Sequence, residues 1–233
     1  MTDPHPPIRR TPLLLVAMLC LLPAFQTLVA VHLEWLKAIT YPGLKVAMIA
    51  ASLIVWRWSR RPVGEVLQRI GWRRTNGLVG LAVGAAMAGI ILGSYYAIFR
   101  SIIRPDLLVD KLREFGLLDT YWAKAVVFSF WNALFEEYYW RGFLLGELRD
   151  RLAGRTALVV LMGGLFGLHH IFALLWLGDG LLIAMAVGVT MIAGAAWALL
   201  RIRGGSIIDC YISHLMADLA IMWVGYDLVL KAG

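Results

Sequence analysis

The sequence predicts an all-α membrane protein, a polytopic helical bundle with about seven transmembrane helices and two interfacial amphipathic helices. Hydrophobic residues make up 61% of the 233 residues, whereas a soluble domain is roughly 45–50% apolar. The apolar segments are continuous and about 20 residues long, which is the length of a helix that spans a bilayer. Strands of a membrane barrel would instead show shorter segments of alternating hydrophobicity.

The N-terminal region, residues 1–120, is predicted to contain three of these spans. It begins with a polar, proline-rich segment, residues 1–11, which includes Arg9 and Arg10 and is interpreted as a short cytoplasmic tail. The three spans are predicted at residues 13–31, 39–56 and 78–99. The third span is rich in glycine, which favours close packing against another helix. Its glycines of interest are Gly80, Gly84 and Gly89.

Two charged segments between the spans are predicted to form the interfacial helices. Residues 57–76 contain six arginines. Apolar residues recur at helical spacing between these arginines, which is typical of an amphipathic helix on an anionic membrane surface. Residues 100–120 mix acidic and basic side chains with leucines such as Leu117, and they favour the same structure. Both segments are expected to lie on the membrane rather than to cross it.

The C-terminal region, residues 121–233, is predicted to form a four-helix core. Its spans are predicted at residues 121–145, 157–177, 181–200 and 207–230. The connections on one predicted side of the membrane carry more Lys and Arg than those on the other, so the positive-inside rule predicts a cytoplasmic N-terminus. Residues 100–124 are the exception, because they are basic on the predicted outer side.

The net charge indicates which binding partners to expect, and the cysteine content indicates whether disulfides are expected. The net charge of +7 comes mainly from basic residues at the ends of the spans, where positive-inside bias places them. We therefore expect a lipid bilayer, and no nucleic acid, as a partner. Cys20 and Cys210 are the only cysteines, and both fall inside predicted spans. Two buried free thiols are expected rather than a disulfide framework.

Three spans of the C-terminal region contain ionisable residues, which are rare inside a bilayer. Each costs roughly 2.5–3.5 kcal/mol on insertion scales, and such residues normally face a protein interior or a water-filled cavity, where a functional site is the default hypothesis. These residues are Glu136, Glu137, Arg141, His169, His170, His214 and Asp218. Lys45, in the second span, is expected to reach the membrane surface or to pair with an interior acid.

The spacing of the residues near Glu136 predicts how they pair. Glu137 and Arg141 are four residues apart, on one face of a helix, and are expected to form an ion pair. Glu136 instead shares its face with Asn132. One carboxylate is thus neutralised by its own helix, while the other is available for chemistry.

Glu136 suits the hydrolysis of a peptide bond. That reaction needs an activated water, a polarised carbonyl and a group that stabilises the oxyanion. A carboxylate removed from water is a stronger base, so Glu136 is the predicted base, with a histidine hydrogen-bonded to the same water. His214 and Asp218, four residues apart, could bind the oxyanion or orient the histidine.

The histidines leave a second chemistry open. Glu136, His170 and His214 could form a two-histidine, one-carboxylate metal site with an open position. The zinc signature His-Glu-x-x-His on one helix is absent from the sequence, so a divalent metal is neither required nor excluded. Phe166 is expected to wall one side of His170, while His169 is expected to point elsewhere and is left out of the predicted site.

Three motifs occur in order along the C-terminal region. They are Glu-Glu-x-x-x-Arg at residues 136–141, Phe-x-x-x-His at 166–170 and His-x-x-x-Asp at 214–218. In this order they resemble the CPBP family, the CAAX-protease and bacteriocin-processing (ABI) family of glutamic-type intramembrane endopeptidases. The resemblance covers residues 121–228. It implies an all-helical membrane protease with no required metal.

The resemblance also implies roles for individual residues. These roles are water activation for Glu136 and His170, the oxyanion side for His214 and Asp218, and support for Glu137 and Arg141. Many family members have Asn at the position of Asp218. Because a carboxylate donates a hydrogen bond only when it is protonated, Asp218 is expected either to be kept neutral by burial or to orient His214.

The function that the resemblance implies is hydrolysis of a peptide bond in a membrane-anchored protein or peptide, near its C-terminal anchor or its lipidated or sorting tail. The short chain and its basic, compact loops favour a multi-pass enzyme of the bacterial inner membrane. The alternative is a non-proteolytic immunity factor or a proton-coupled transporter, whose buried acids form a relay. Transporters often have inverted repeats, whereas the ionisable residues here cluster in the C-terminal region. The oligomeric state stays open.

Overall fold

The computed structural model describes residues 7–114, 116 and 118–232. Residues 1–6 of the predicted tail and Leu117 of the second predicted amphipathic segment lie outside the described residues. The described part of the chain forms helices joined by turns and contains no strand. The predicted all-α class is confirmed.

The N-terminal region contains the three apolar helices and two short amphipathic ones that the sequence predicts. The helices are α1 (Leu13–Thr27), which continues into a π-helical turn (Leu28–His32), α2 (Lys37–Trp58), α3 (Val63–Ile70), α4 (Leu78–Ala97) and α5 (Pro105–Glu114). α3 and α5 form where charged and apolar residues alternate at helical spacing. Their position on the membrane surface stays a prediction.

The C-terminal region begins with an interrupted helix. It consists of α6 (Tyr121–Glu137), a π-helical segment (Tyr138–Leu144) and α7 (Leu145–Arg149), which follow one another without a break. The remaining helices are α8 (Arg155–Leu174), which ends in a 3-10 turn (Leu175–Leu177), α9 (Gly180–Ile202) and α10 (Ile207–Ala232). Asp179 caps α9, because its Oδ1 accepts a hydrogen bond of 2.8 Å from the N–H of Leu182.

Six helices in the described residues are long and apolar enough to cross a membrane, so the protein is a multi-pass membrane protein. These candidate spans are Leu13–His32, Ala38–Trp58, Leu78–Ala97, Arg155–Leu177, Gly180–Ile202 and Ile207–Leu230. The predicted span at residues 121–145 is not among them. This stretch is helical throughout, but it contains Lys124, Glu136, Glu137 and Arg141, whose charges distinguish it from the six more apolar helices.

Glycines allow α4 to lie directly against α10, close to the candidate site. A Cβ on Gly84 would lie 2.6 Å from Sδ of Met216 and 3.0 Å from Cα of Ser213. A Cβ on Gly80 would lie 2.8 Å from the carbonyl oxygen of Asp209. The predicted role of these two glycines in close packing is confirmed, whereas Gly89 faces open space and takes no part in the contact.

The two sequence regions share one hydrophobic core. Buried residues of α1 and α2 pack with aromatic residues of the interrupted helix, α8 and α9. Examples are Val16, Trp56, Phe143, Phe166 and Trp197. The core therefore extends across the boundary between residues 1–120 and 121–233. The division into two domains stays a prediction.

The outside of the bundle is strongly apolar. Leu14, Ile39 and Ile192 are each at least 70% exposed, which suits a surface that faces lipid rather than water. The thiols of Cys20 and Cys210 are both buried and free, as predicted. Buried polar and charged residues lie in the interior of the bundle, among them Glu137, Arg141 and His214.

Candidate active site

Glu136 lies in the last turn of α6, where side chains from α2, α8 and α10 converge on it. Its Oε1 is 3.5 Å from Nζ of Lys45 on α2 and 3.8 Å from Nε2 of His169 on α8. Its Oε2 is 3.9 Å from Nε2 of His214 on α10. Among the described residues, Oε2 has no hydrogen-bond partner although it is buried. The carboxylate is thus held on one oxygen and available on the other.

Glu137 holds the neighbouring groups in place. Its Oε1 accepts hydrogen bonds of 2.8 Å from Nη1 of Arg141 and 2.7 Å from Nδ1 of His214. Nη2 of Arg141 donates to the carbonyl oxygen of Gly194 at 3.1 Å, and the guanidinium lies 4.6 Å from the centroid of the Phe166 ring. The predicted pair of Glu137 and Arg141 is confirmed, with both side chains buried.

The ring of His214 is fixed on three sides. Its Nδ1 faces Glu137, while its Nε2 lies 3.5 Å from Oδ1 of Asp218. The ring stacks on Trp197, with the ring centroids 4.2 Å apart. Nε1 of Trp197 in turn donates to Oγ of Ser213 at 2.9 Å. The expected placement of His214 and Asp218 on one helix face is confirmed, and Nε2 of His214 is directed toward Glu136.

Asn132 connects Asp218 to α2. Its Oδ1 accepts a hydrogen bond of 2.7 Å from Nζ of Lys45, and its Nδ2 donates to Oδ2 of Asp218 at 3.3 Å. An ammonium only donates hydrogen bonds, so the amide oxygen has to face it. Asn132 and Glu136 both contact Lys45, which confirms that they share one face of α6.

Two adjacent histidines of α8 face the site. Nδ1–H of His170 donates to the carbonyl oxygen of Phe166 at 2.8 Å, which leaves Nε2 of the neutral ring as an acceptor. The rings of His169 and His170 are 4.0 Å apart, and the ring of Phe166 is 4.9 Å from each. The expected contact of Phe166 with His170 is therefore confirmed.

The expectation that His169 points away from the site is wrong. Adjacent residues on a helix are about 100° apart, and the interior face of a packed helix is wide enough to include both. His169 stacks on Trp140, with ring centroids 5.4 Å apart, and its Nε2 approaches Glu136. The sequence offered the signal, a second histidine in an apolar span, but not the rotation of α8.

His169 also changes the set of residues that could hold a metal ion. Glu136, His169 and His170 each offer a ligand atom, and these atoms lie within 4.8 Å of one another. The sequence suggested His214 as the third ligand instead. Two histidines and one carboxylate remain the donor set, which suits zinc or another divalent transition metal.

Lys45 and Trp197 are the other residues that the predicted site lacked. The pairing of Lys45 with an interior acid was one of its two expected roles, and the contact with Glu136 confirms it. Trp197 carried no signal in the sequence, because stacking on His214 depends on how α9 packs against α10.

A comparison with known families agrees with this geometry. Residues 118–220 match a family model described as Type II CAAX prenyl endopeptidase Rce1-like. This region, which is less than half of the chain, is similar to the Rce1-like family. The match confirms the resemblance to the CPBP family and indicates an intramembrane protease of the CAAX type. No curated protein and no solved structure matches the chain.

The Rce1-like region contains the site residues of α6, α8 and α10, whereas Lys45 lies outside it. The matched range therefore includes the glutamates, the three histidines of the site and Asp218. It does not account for the contribution of α2.

Proposed function

We propose that the protein is an intramembrane endopeptidase that hydrolyses a peptide bond with a water molecule activated by Glu136 and a histidine. One observation carries the proposal. Oε2 of Glu136 is buried and without a hydrogen-bond partner among the described residues, and histidines from α8 and α10 surround this carboxylate. A buried carboxylate oxygen in such a setting can accept a proton from water.

The geometry supports different roles for the two oxygens of Glu136. Oε1 faces Lys45 and His169, so Oε2 takes the proton from the attacking water. Nε2 of His170 is available to accept a second hydrogen bond from the same water. The hydroxide attacks the carbonyl carbon, the C–N bond breaks, and the proton held by Glu136 passes to the leaving amine.

His214 serves the developing oxyanion in this mechanism. Glu137 and Trp197 fix its ring from two sides, so that no reorientation is needed during the reaction. Asp218 acts as an acceptor: one oxygen faces Nε2 of His214 and the other accepts from Asn132. These contacts favour orientation of His214 over direct donation to the oxyanion as the role of Asp218.

The substrate is a membrane-anchored protein or peptide, cleaved near a lipidated or otherwise anchored C-terminal tail. The description of the family as CAAX prenyl endopeptidases supports this class. Three of the helices that contribute to the site, α2, α8 and α10, are apolar enough to cross a membrane, which suits a substrate that reaches it from the lipid. The basic connections favour a cytoplasmic N-terminus, and a bacterial inner membrane is the proposed location.

Mass spectrometry of membrane-protein C-termini tests the proposal. Membranes are compared from cells that produce the wild-type protein, Glu136→Gln or Asp110→Asn, an exposed carboxylate paired with Arg113. New C-termini are expected with the wild type and Asp110→Asn and not with Glu136→Gln. Identical termini in all three, with the proteins folded, would contradict the proposal and favour the immunity-factor or transporter alternative.

A metal-dependent hydrolase is the second candidate, because Glu136, His169 and His170 form a plausible ligand set. Metal analysis of the purified protein separates the two mechanisms. The metal-free mechanism predicts a substoichiometric metal content and activity that survives EDTA. One bound metal per chain that disappears in His169→Ala, together with loss of activity in EDTA, would replace it.

A further inference from the structure

We propose that Lys45 of α2 is a positioning residue for the reaction, supplied by the part of the chain that the family model does not match. This inference rests on the proposed protease function, and it adds to it a group outside the three sequence motifs. Lys45 is only 5% exposed. A buried ammonium is tolerated only when it is paired and hydrogen-bonded, so its two neighbours on α6 are essential to its position.

Lys45 makes the two oxygens of Glu136 unequal. Its Nζ lies 3.5 Å from Oε1 and has no comparable contact with Oε2 among the described residues. Without this cation, the carboxylate could rotate about its last bond to torsion angles at which neither oxygen faces Nε2 of His214. Lys45 therefore fixes the torsion angle of the carboxylate so that one oxygen faces Nε2 of His214, and with it the position of the attacking water.

Lys45 also orients a chain of hydrogen bonds that ends at the oxyanion side. It donates to Oδ1 of Asn132, which turns Nδ2 of the amide toward Asp218. Asp218 in turn contacts Nε2 of His214. A single ammonium thus supports both the base and the group opposite it. Loss of Lys45 is expected to disturb the rate of the chemical step more than substrate binding.

The first test uses Lys45→Met, Lys45→Arg and Lys124→Met. Lys124 is the matched control. It lies in the first turn of α6, away from the site, and donates to the carbonyl oxygen of Gly116. Cleavage of a quenched fluorescent peptide with a prenylated CaaX terminus is measured in proteoliposomes, at a temperature where every variant is folded. Lys45→Met is expected to lower kcat by about 10- to 100-fold, the scale of a small misplacement of reacting groups, without changing KM.

Partial recovery of kcat is expected in Lys45→Arg, because the charge returns although the geometry differs. Lys124→Met should match the wild type. An unchanged kcat in Lys45→Met, an equal fall in the control, or a Lys45→Arg as inactive as Lys45→Met would each overturn the proposal. The last result would assign the effect to packing rather than to charge.

A second test needs no substrate. Thermal melting is measured for Lys45→Met, Glu136→Gln and the double variant, which form a double-mutant cycle. Lys45→Met is expected to lower the melting midpoint in the wild-type background and to lower it less in the Glu136→Gln background, where no buried carboxylate is left unpaired. Equal shifts in both backgrounds would overturn the pairing. If the two substitutions are coupled but the protein cleaves no substrate, the contact between Lys45 and Glu136 stands and the proposed protease function is wrong.

Discussion

Two glutamates of the interrupted helix have different surroundings: Glu136 at the end of α6, whose side chain is 12% exposed, and Glu147 in α7. Glu147 is fully buried, and its Oε2 accepts a hydrogen bond of 2.7 Å from Oγ1 of Thr11. Nη2 of Arg61 lies 3.5 Å from its Oε1, and Nη1 of Arg151 lies 3.6 Å from its Oε2. Glu147 therefore sits between two arginines, whereas Glu136 sits among one lysine and the histidines.

The difference lies in which neighbours can exchange a proton. A guanidinium stays protonated in proteins and offers only donors, so the carboxylate beside it stays an acceptor. Imidazole can donate or accept and changes its charge near neutral pH. The same residue type on one helix thus becomes a structural anchor at Glu147 and a candidate base at Glu136. The comparison teaches that the neighbours of a buried carboxylate, rather than its burial, indicate its role.

Arg61 extends the anchor to neighbouring segments. It contacts Glu65 of α3 and lies 3.0 Å from Oδ2 of Asp150, in addition to Glu147. Arg151 donates to the backbone carbonyls of Thr11 and Glu147. The cluster therefore ties α3 and the segment before α1 to the end of α7.

The largest expected effect separates the two glutamates by activity. Glu136→Gln should lower the cleavage rate by about 10²- to 10⁴-fold, the usual contribution of a general base. Its melting midpoint should fall only modestly, because the ion pair with Lys45 is lost while Gln keeps the volume and an oxygen that accepts a hydrogen bond from Lys45. Single-turnover cleavage and thermal melting of the same preparation measure both quantities. Wild-type turnover would remove Glu136 from the chemistry.

Removal of Arg141 should lower both the stability and the activity of the protein. Arg141→Met leaves Glu137 buried and without its cation, a loss of about 3–5 kcal/mol in the free energy of unfolding. Activity should fall as well, since Glu137 orients His214. Arg113→Met, at an exposed arginine, is the control in chemical or thermal unfolding. A shift no larger than that of the control would contradict the importance of the buried pair.

Glu147→Gln should show the reverse of Glu136→Gln. The amide weakens the contacts with Arg61 and Arg151, so unfolding should become easier by about 1–3 kcal/mol, the range for a buried polar group that loses its partner. The value of kcat per folded molecule should not change. Thermal melting and kinetics at low temperature measure the two effects. Loss of kcat in fully folded protein would break the comparison between the two glutamates.

The smallest effect is expected for Asp218→Asn. The single oxygen of an Asn side chain can accept from only one of Asn132 and His214, but Glu137 and Trp197 still hold the ring of His214. The rate should change by less than about tenfold, or about 1.4 kcal/mol in the activation free energy. Steady-state cleavage of the prenylated peptide is the measurement. A complete loss of activity would show that the negative charge at this position is required.

The sequence predicts most of this fold because the helices follow from continuous apolar segments and from charge at helical spacing. Of its seven predicted spans, six are long and apolar enough to cross a membrane, and the one at residues 121–145 differs because it carries Lys124, two glutamates and Arg141. Within the site, pairs four residues apart on one helix were predictable, as for Glu137 with Arg141. Contacts between helices were not, which explains why His169 was placed outside the site and why Lys45 had two possible roles.

The π-helical segment Tyr138–Leu144 determines the rotation about the helix axis between Glu136 and Glu147. Its backbone bonds reach five residues back instead of four, so it accommodates an extra residue. One residue in an α-helix corresponds to a rotation of about 100°. Deleting a single residue here would turn Glu147 away from Arg61 if Glu136 kept its place among the histidines. The segment therefore acts as a fixed spacer that lets one helix serve the site at one end and the anchor at the other.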